Sequence, residues 1–217
     1  MLAGKRNAGW TENLLLNQKG SRRLALAMNT SLTAAFPAKL TPTVSRLAQL
    51  LDPSSGLPTS EPFAVSCDGE TLQIPVRIYR PVISDAAFAS LPPIEQSIAA
   101  CWFTRHHDGH VRERFLRALP VFDCSWVIAY VVALCGEYVV EVVSYIWEHR
   151  SLFDRAVLGR WLRENQIFYS RTRSRIVSYW NCYYRSSSPS FETYVGSQLI
   201  AFFEESLTIQ HHETGVG

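Results

Sequence analysis

SWVIAYVVALCGEYVVEVVSYIWE, residues 125–148, is the stretch whose reading decides the fold. Trp126–Cys135 is apolar on all sides, so at 3.6 residues per turn no face prefers water, and the segment reads as a buried helix. Ser125 stands where an N-cap would accept from the first turn. Gly136 breaks the run, and Val139, Val142, Val143 and Ile146 then form a stripe in a second helix over Tyr138–Glu148. A membrane crossing needs about 20 clean apolar residues. Glu137 and Glu141 spoil that count, so two buried helices account for the stretch better than one crossing. A helix without a polar face needs others around it.

The flanking sequence supplies them. Upstream, Pro92-Pro93 opens a helix in which Ile94, Ile98, Cys101, Trp102 and Arg105 share one stripe. Asp108-Gly109 interrupts it, His110–Leu119 follows with Val111, Phe115 and Leu119 on one face, and Pro120 ends that helix. Downstream, Phe153, Val157 and Trp161 mark a helix in 152–164, and Arg173, Ile176, Val177, Trp180 and Tyr184 another in 167–185. SSSPS stops it, and Gly196–Leu207 adds a last helix. Ahead of these, FAVSCDGETLQIPVRIYRP, residues 63–81, alternates apolar and polar positions around Asp68-Gly69, which predicts a β-hairpin over 62–80. Pro75 cannot donate to a ladder, so the second strand should be an edge or carry a bulge there, and a hairpin this small should lie on the helices. Residues 1–60 lack a sustained period and read as a flexible basic arm and linker with one short helix over Thr43–Leu51, the rest being either mobile or wrapped on the core in irregular form. The helical domain then covers 61–207, and 208–217 reads as a disordered tail.

The predicted class is mainly α, as a helical repeat or a helical bundle. GHVRERFLRAL, EYVVEVVSYIW and YSRTRSRIVSYW each follow an apolar helix and a short break. They start near residues 109, 137 and 169, a spacing close to that of helix-pair repeats. Residues 92–185 thus resemble HEAT-type repeats, and Asp108, Gly109, Val111 and Arg112 are similar to the start of a HEAT second helix; the later units lack that pattern. The resemblance implies a scaffold and carries no catalytic residues. The GEYVVE and SYWN runs also resemble segments of uncharacterised bacterial proteins, a likeness that brings no function.

Apolar residues at 47% and charged ones at 18% put the chain in the globular class. Its net charge of +2 hides an asymmetry: residues 1–50 carry +6, 51–149 carry −6, 150–185 carry +6, and the remainder −4. Every basic residue after Lys39 is arginine, which suits carboxylate and phosphate recognition, although codon bias in a GC-rich genome explains the same usage. The five cysteines form no CxxC pair, so a reducing compartment, the cytoplasm, and no structural zinc are expected. Arg22–Phe36 is too broken by Asn29, Thr30, Ser31 and Thr33 to read as a signal peptide.

Three constellations compete as sites. His106, His107, Asp108 and His110 could hold a divalent metal, and the His107-Asp108 pair resembles HD-type metal phosphohydrolases, whose upstream histidine is missing because none precedes His106. The plainer reading is an interhelical turn with Asp108 capping the next helix. Glu137 and Glu141, four apart, would share a helix face as an acid–base pair, or form a salt bridge to Arg112 or Arg114. Arg160, Arg163, Arg171, Arg173, Arg175 and Arg185, interleaved with Tyr179, Trp180, Tyr183 and Tyr184, offer a basic face for an acidic protein partner or for nucleic acid. The plain alternative is a solvated basic face over core aromatics, with Trp180 and Tyr184 on the Ile176 side. No nucleotide, flavin, nucleophile-elbow, zincin or EF-hand motif occurs, so no cofactor is expected. The expectation is a non-enzymatic interaction module, with a nucleic-acid binder and a metal-dependent hydrolase as alternatives.

Overall fold

The helix periods beyond Pro92 become helices at the expected places. The computed structural model describes residues 32–50, 58–59, 62–120 and 122–209. In chain order they form α1 (Thr41–Leu50), β1 (Pro58–Thr59), β2 (Phe63–Cys67), β3 (Glu70–Ile74), β4 (Arg77–Ile78), α2 (Asp85–Ala89), α3 (Pro93–Phe103), α4 (Gly109–Arg117), α5 (Ser125–Cys135), α6 (Val140–Glu148), α7 (Arg155–Glu164), α8 (Gln166–Tyr179) and α9 (Val195–Leu207). The class is mainly α with a short hairpin ahead of the helices.

Every residue of α5 is buried. It touches α3, α6, α7, α8 and β2, while α9 closes over α6, α7 and α8, so the helices form a bundle about one central rod. Burying a large apolar side chain is worth about 1.5–3 kcal/mol, and this helix spends none of its surface on water. Its N-terminus departs from expectation. Ser125 is the first helical residue, Cys124 precedes it without a side-chain cap, and the Ser125 hydroxyl donates instead to Asp68 Oδ2 at 2.6 Å.

The hairpin forms as the sequence indicates. Asp68 (φ 51°) and Gly69 (φ 83°) are both left-handed, the requirement of a two-residue type I′ turn. Phe63 pairs with Ile74 and Cys67 with Glu70, and Val65, Cys67, Leu72 and Ile74 face the core. The ladder stops at Ile74 because Pro75 follows. The chain resumes as β4, which pairs antiparallel with β1, and the Ile78 backbone bonds on its other side to Arg105 and His107.

The division near residue 60 needs correction. Leu32, Ala35, Phe36, Val44, Leu47 and Ala48 are core residues. Phe36 stacks on Tyr130, with centroids 5.4 Å apart, and meets Trp126 edge-on, while the Tyr130 hydroxyl donates to the Ala35 carbonyl. Residues 32–50 are therefore part of the helical body: the helix expected over Thr43–Leu51 forms as α1 and turns Val44, Leu47 and Ala48 inward, while Leu32, Ala35 and Phe36, ahead of Pro37, belong to no sustained period. Most of the predicted arm, 1–31, and residues 210–217 of the tail lie outside the described residues. Among the described residues no helix is long and apolar enough to cross a membrane.

Candidate binding groove

The densest charge is inside the molecule. Glu137 lies before α6, buried, and Glu141 is exposed on it, so the two do not share a face as their spacing had suggested. Arg77 Nη1 donates to Glu137 Oε1 at 2.9 Å, Arg105 Nη1 is 3.2 Å from the same oxygen, and Arg112 Nε is 2.6 Å from Oε2. The last two are close ion pairs without hydrogen-bond alignment. Three cations face one buried carboxylate, and backbone carbonyls take up the surplus. Arg105 donates to Pro75 O and Val76 O, Arg112 to His106 O and His107 O, and Arg77 to Val76 O. Burial pushes the Arg105 guanidinium down to about 10, against the pull of Glu137. The salt bridge from Glu137 to Arg112 thus forms as part of a larger staple, joining the strand after Pro75, the α3–α4 turn and the start of α6.

The histidine cluster belongs to the same staple. Asp108 caps α4, accepting from the His110 N–H at 2.8 Å. His106 accepts the Asp108 N–H at Nδ1, which leaves Nε2 as the donor to Arg80 O, so both ring nitrogens are spent within the protein. Burial is the main cause of its lowered pKa. The His107 ring stacks on Tyr79, with centroids 4.7 Å apart. Among the described residues no group of three or more histidine, cysteine or acidic side chains is disposed to hold a metal. The metal reading of His106, His107, Asp108 and His110 is therefore corrected to a capped, stapled turn: backbone groups claim both His106 nitrogens, the His107 ring lies against Tyr79, and the Asp108 carboxylate is spent on the first turn of α4.

The six arginines singled out as a binding face are not equivalent. Arg160 approaches Asp68 at 3.9 Å, Arg173 pairs with Glu204 at 3.3 Å, and Arg185 bonds Asn181 and lies over the Trp180 ring. Arg163 caps α9, donating to Leu207 O at 2.8 Å. Arg171 and Arg175 are exposed on one side of α8, and neither has an ion-pair or side-chain hydrogen-bond partner among the described residues.

Arg163 and Arg171 line one open groove of about 840 Å³, walled on one side by Pro62–Ser66 and on the other by the α7–α8 corner, residues 163–168. Asn165, buried between the two helices, fixes this geometry. Its Oδ1 accepts the Ser66 N–H at 2.7 Å, and its Nδ2 donates to Ser66 O and Trp161 O. Phe63 stacks on Phe168 at 4.9 Å, and Ile167 projects beside them, 73% exposed. Glu164 is the acid on the wall. The groove joins a hairpin strand to a helix corner about a hundred residues later, and the sequence signal for it was limited to Asn165 between two apolar helices.

A second patch surrounds the end of α8. There the coil widens into a π-helical turn, Trp180–Tyr184, where a continuous α-helix had been expected. Trp180 and Tyr184 pack against the core as predicted, whereas Tyr183 and Tyr138 are more than half exposed, with Tyr179 between them.

No family model matches this chain, and no curated protein or solved structure is significantly similar to it.

Proposed function

We propose that this protein is a non-enzymatic helical interaction module that receives an acidic segment of a partner protein in the groove between β2 and the α7–α8 corner. The observation that carries the reading is Arg171, an exposed cation without a partner among the described residues, set beside the exposed Ile167 and the Phe63–Phe168 stack. Apolar surface flanked by arginine is the composition of interface hot spots, and the charge adds steering and selectivity. Arg163 extends the positive side of the groove and Arg175 continues it one turn along α8. The likeness of residues 92–185 to HEAT-type scaffolds and the expected cytoplasmic location belong to the same proposal. Fluorescence anisotropy with a labelled peptide of alternating glutamate and valine tests it. Binding should weaken about tenfold in Arg171→Glu and should fail for the matching lysine–valine peptide. Equal binding of the two peptides overturns it.

The tyrosine patch supports a second reading, nucleic-acid binding through stacking on Tyr138 and Tyr183 with phosphate contacts from Arg175 and Arg185. A single-stranded oligonucleotide should then bind with an affinity that falls steeply with salt, and Tyr183→Ala should abolish the stacking contribution. Oligonucleotide binding that survives Tyr183→Ala and Tyr138→Ala together removes this reading.

A further inference from the structure

We infer that the groove takes its partner as an extended strand added to the outer edge of β2. The inference rests on the groove reading above and adds the conformation of the bound segment. In a hairpin closed by a two-residue turn, the residues flanking the turn exchange both backbone hydrogen bonds, and bonding alternates from there. Cys67↔Glu70 is that closing pair, so Cys67, Val65 and Phe63 spend their backbone groups on β3, while Ser66 and Ala64 direct theirs outward. Ser66 verifies the alternation, because both of its outward groups are taken by the Asn165 amide, which pairs with them as a neighbouring strand would. Ala64 is two residues further along the same edge, exposed and on the groove wall, and its N–H and C=O have no partner among the described residues. An open edge is a template for another strand.

The surroundings define the occupant. A strand pairing with Ala64 lies between β2 and the α7–α8 corner, and Asn165 blocks its extension past Ser66, which limits it to a few residues. Side chains alternate across a strand, and the groove offers them two kinds of surface, apolar at Phe63, Ile167 and Phe168 and cationic at Arg171. The partner segment is therefore extended, alternates apolar and acidic residues, and lacks proline at the pairing position. A helical segment of the same charge leaves Ala64 unpaired.

The test uses the full chain, the glutamate–valine peptide, and the same peptide N-methylated at its central residue to block backbone pairing. The expected result is slowing of Ala64 amide exchange by fivefold or more on adding the peptide, with about tenfold weaker binding of the N-methylated form. Ala64→Pro should weaken binding equally, and Ala64→Val, which keeps the N–H, should not. Unaltered Ala64 exchange, with binding still lost in Arg171→Glu, overturns strand addition and leaves the acidic-partner reading standing. No binding of either peptide overturns both. Strand pairing between two copies of this chain, seen as a mass that doubles with concentration and is abolished by Ala64→Pro, overturns the assignment to a separate partner.

Discussion

Replacing Glu137 by glutamine keeps the shape of the side chain and removes the charge that three arginines share. In the folded protein Glu137, Arg105 and Arg112 have side chains no more than 4% exposed, so the substitution strands two guanidinium groups away from water with only carbonyl dipoles to face. Breaking a buried ion pair by removing one partner costs about 3–5 kcal/mol. Arg77 is partly exposed and adds little to that figure. Total stabilities run at about 5–15 kcal/mol, so Glu137→Gln should remove a large fraction and place the protein near its unfolding threshold. Urea denaturation followed by tryptophan fluorescence measures this, with an unchanged m-value expected because the packed area is unaltered. The pH dependence carries a second signature. The Arg105 pKa is lowered in the folded state, so between about 10 and its ordinary value the unfolded chain binds the extra proton, and stability rises with pH there. Without Glu137 that pKa falls further, and the deficit of the variant should shrink as pH rises towards 10. A loss below about 1 kcal/mol refutes the claim that the cluster staples the fold.

Three further substitutions probe the same scaffold. His106, held neutral with a lowered pKa, makes the unfolded chain the better proton acceptor in the acid range; stability should fall by up to about 1.4 kcal/mol per pH unit below pH 6.5, and His106→Gln should flatten that part of a pH series of thermal melts. Asn165→Ala frees the Ser66 N–H and C=O and should cost about 2 kcal/mol by urea titration, with faster exchange of the Ser66 amide. Gly159→Ala would drive a methyl into the Ser206 carbonyl where α7 and α9 touch, so calorimetry should show a loss of about 1–3 kcal/mol, and an unchanged Tm would contradict that close approach.

The periodic elements were legible in the chain itself. α3, α5 and α9 begin and end within a few residues of where Pro92-Pro93, Gly136 and Gly196 set them, because apolar spacing and helix breakers act locally. Asp68-Gly69 fixed the hairpin turn and Pro75 the end of its ladder for the same reason. What escaped depends on tertiary placement. Glu137 and Glu141 look equivalent at i, i+4, yet α6 begins after Glu137, which turns inward to Arg112 while Glu141 meets water. The arginine run 160–185 was visible as charge, but only the packing of α9 and the hairpin decides that Arg173 and Arg160 approach acids while Arg171 remains available. The groove itself joins Phe63 to Phe168, a contact no local pattern announces.

Recognition at the β2 edge and the α7–α8 corner, as proposed, is tested directly by amide chemical-shift mapping of the full chain during titration with the glutamate–valine peptide. Shifts should concentrate at residues 63–66 and 163–171 and vanish when Arg163 and Arg171 are both changed to glutamate in a chain whose melting confirms that it is folded. The largest shifts falling at Tyr138 and Tyr183, or at the stapled turn 105–112, would contradict it.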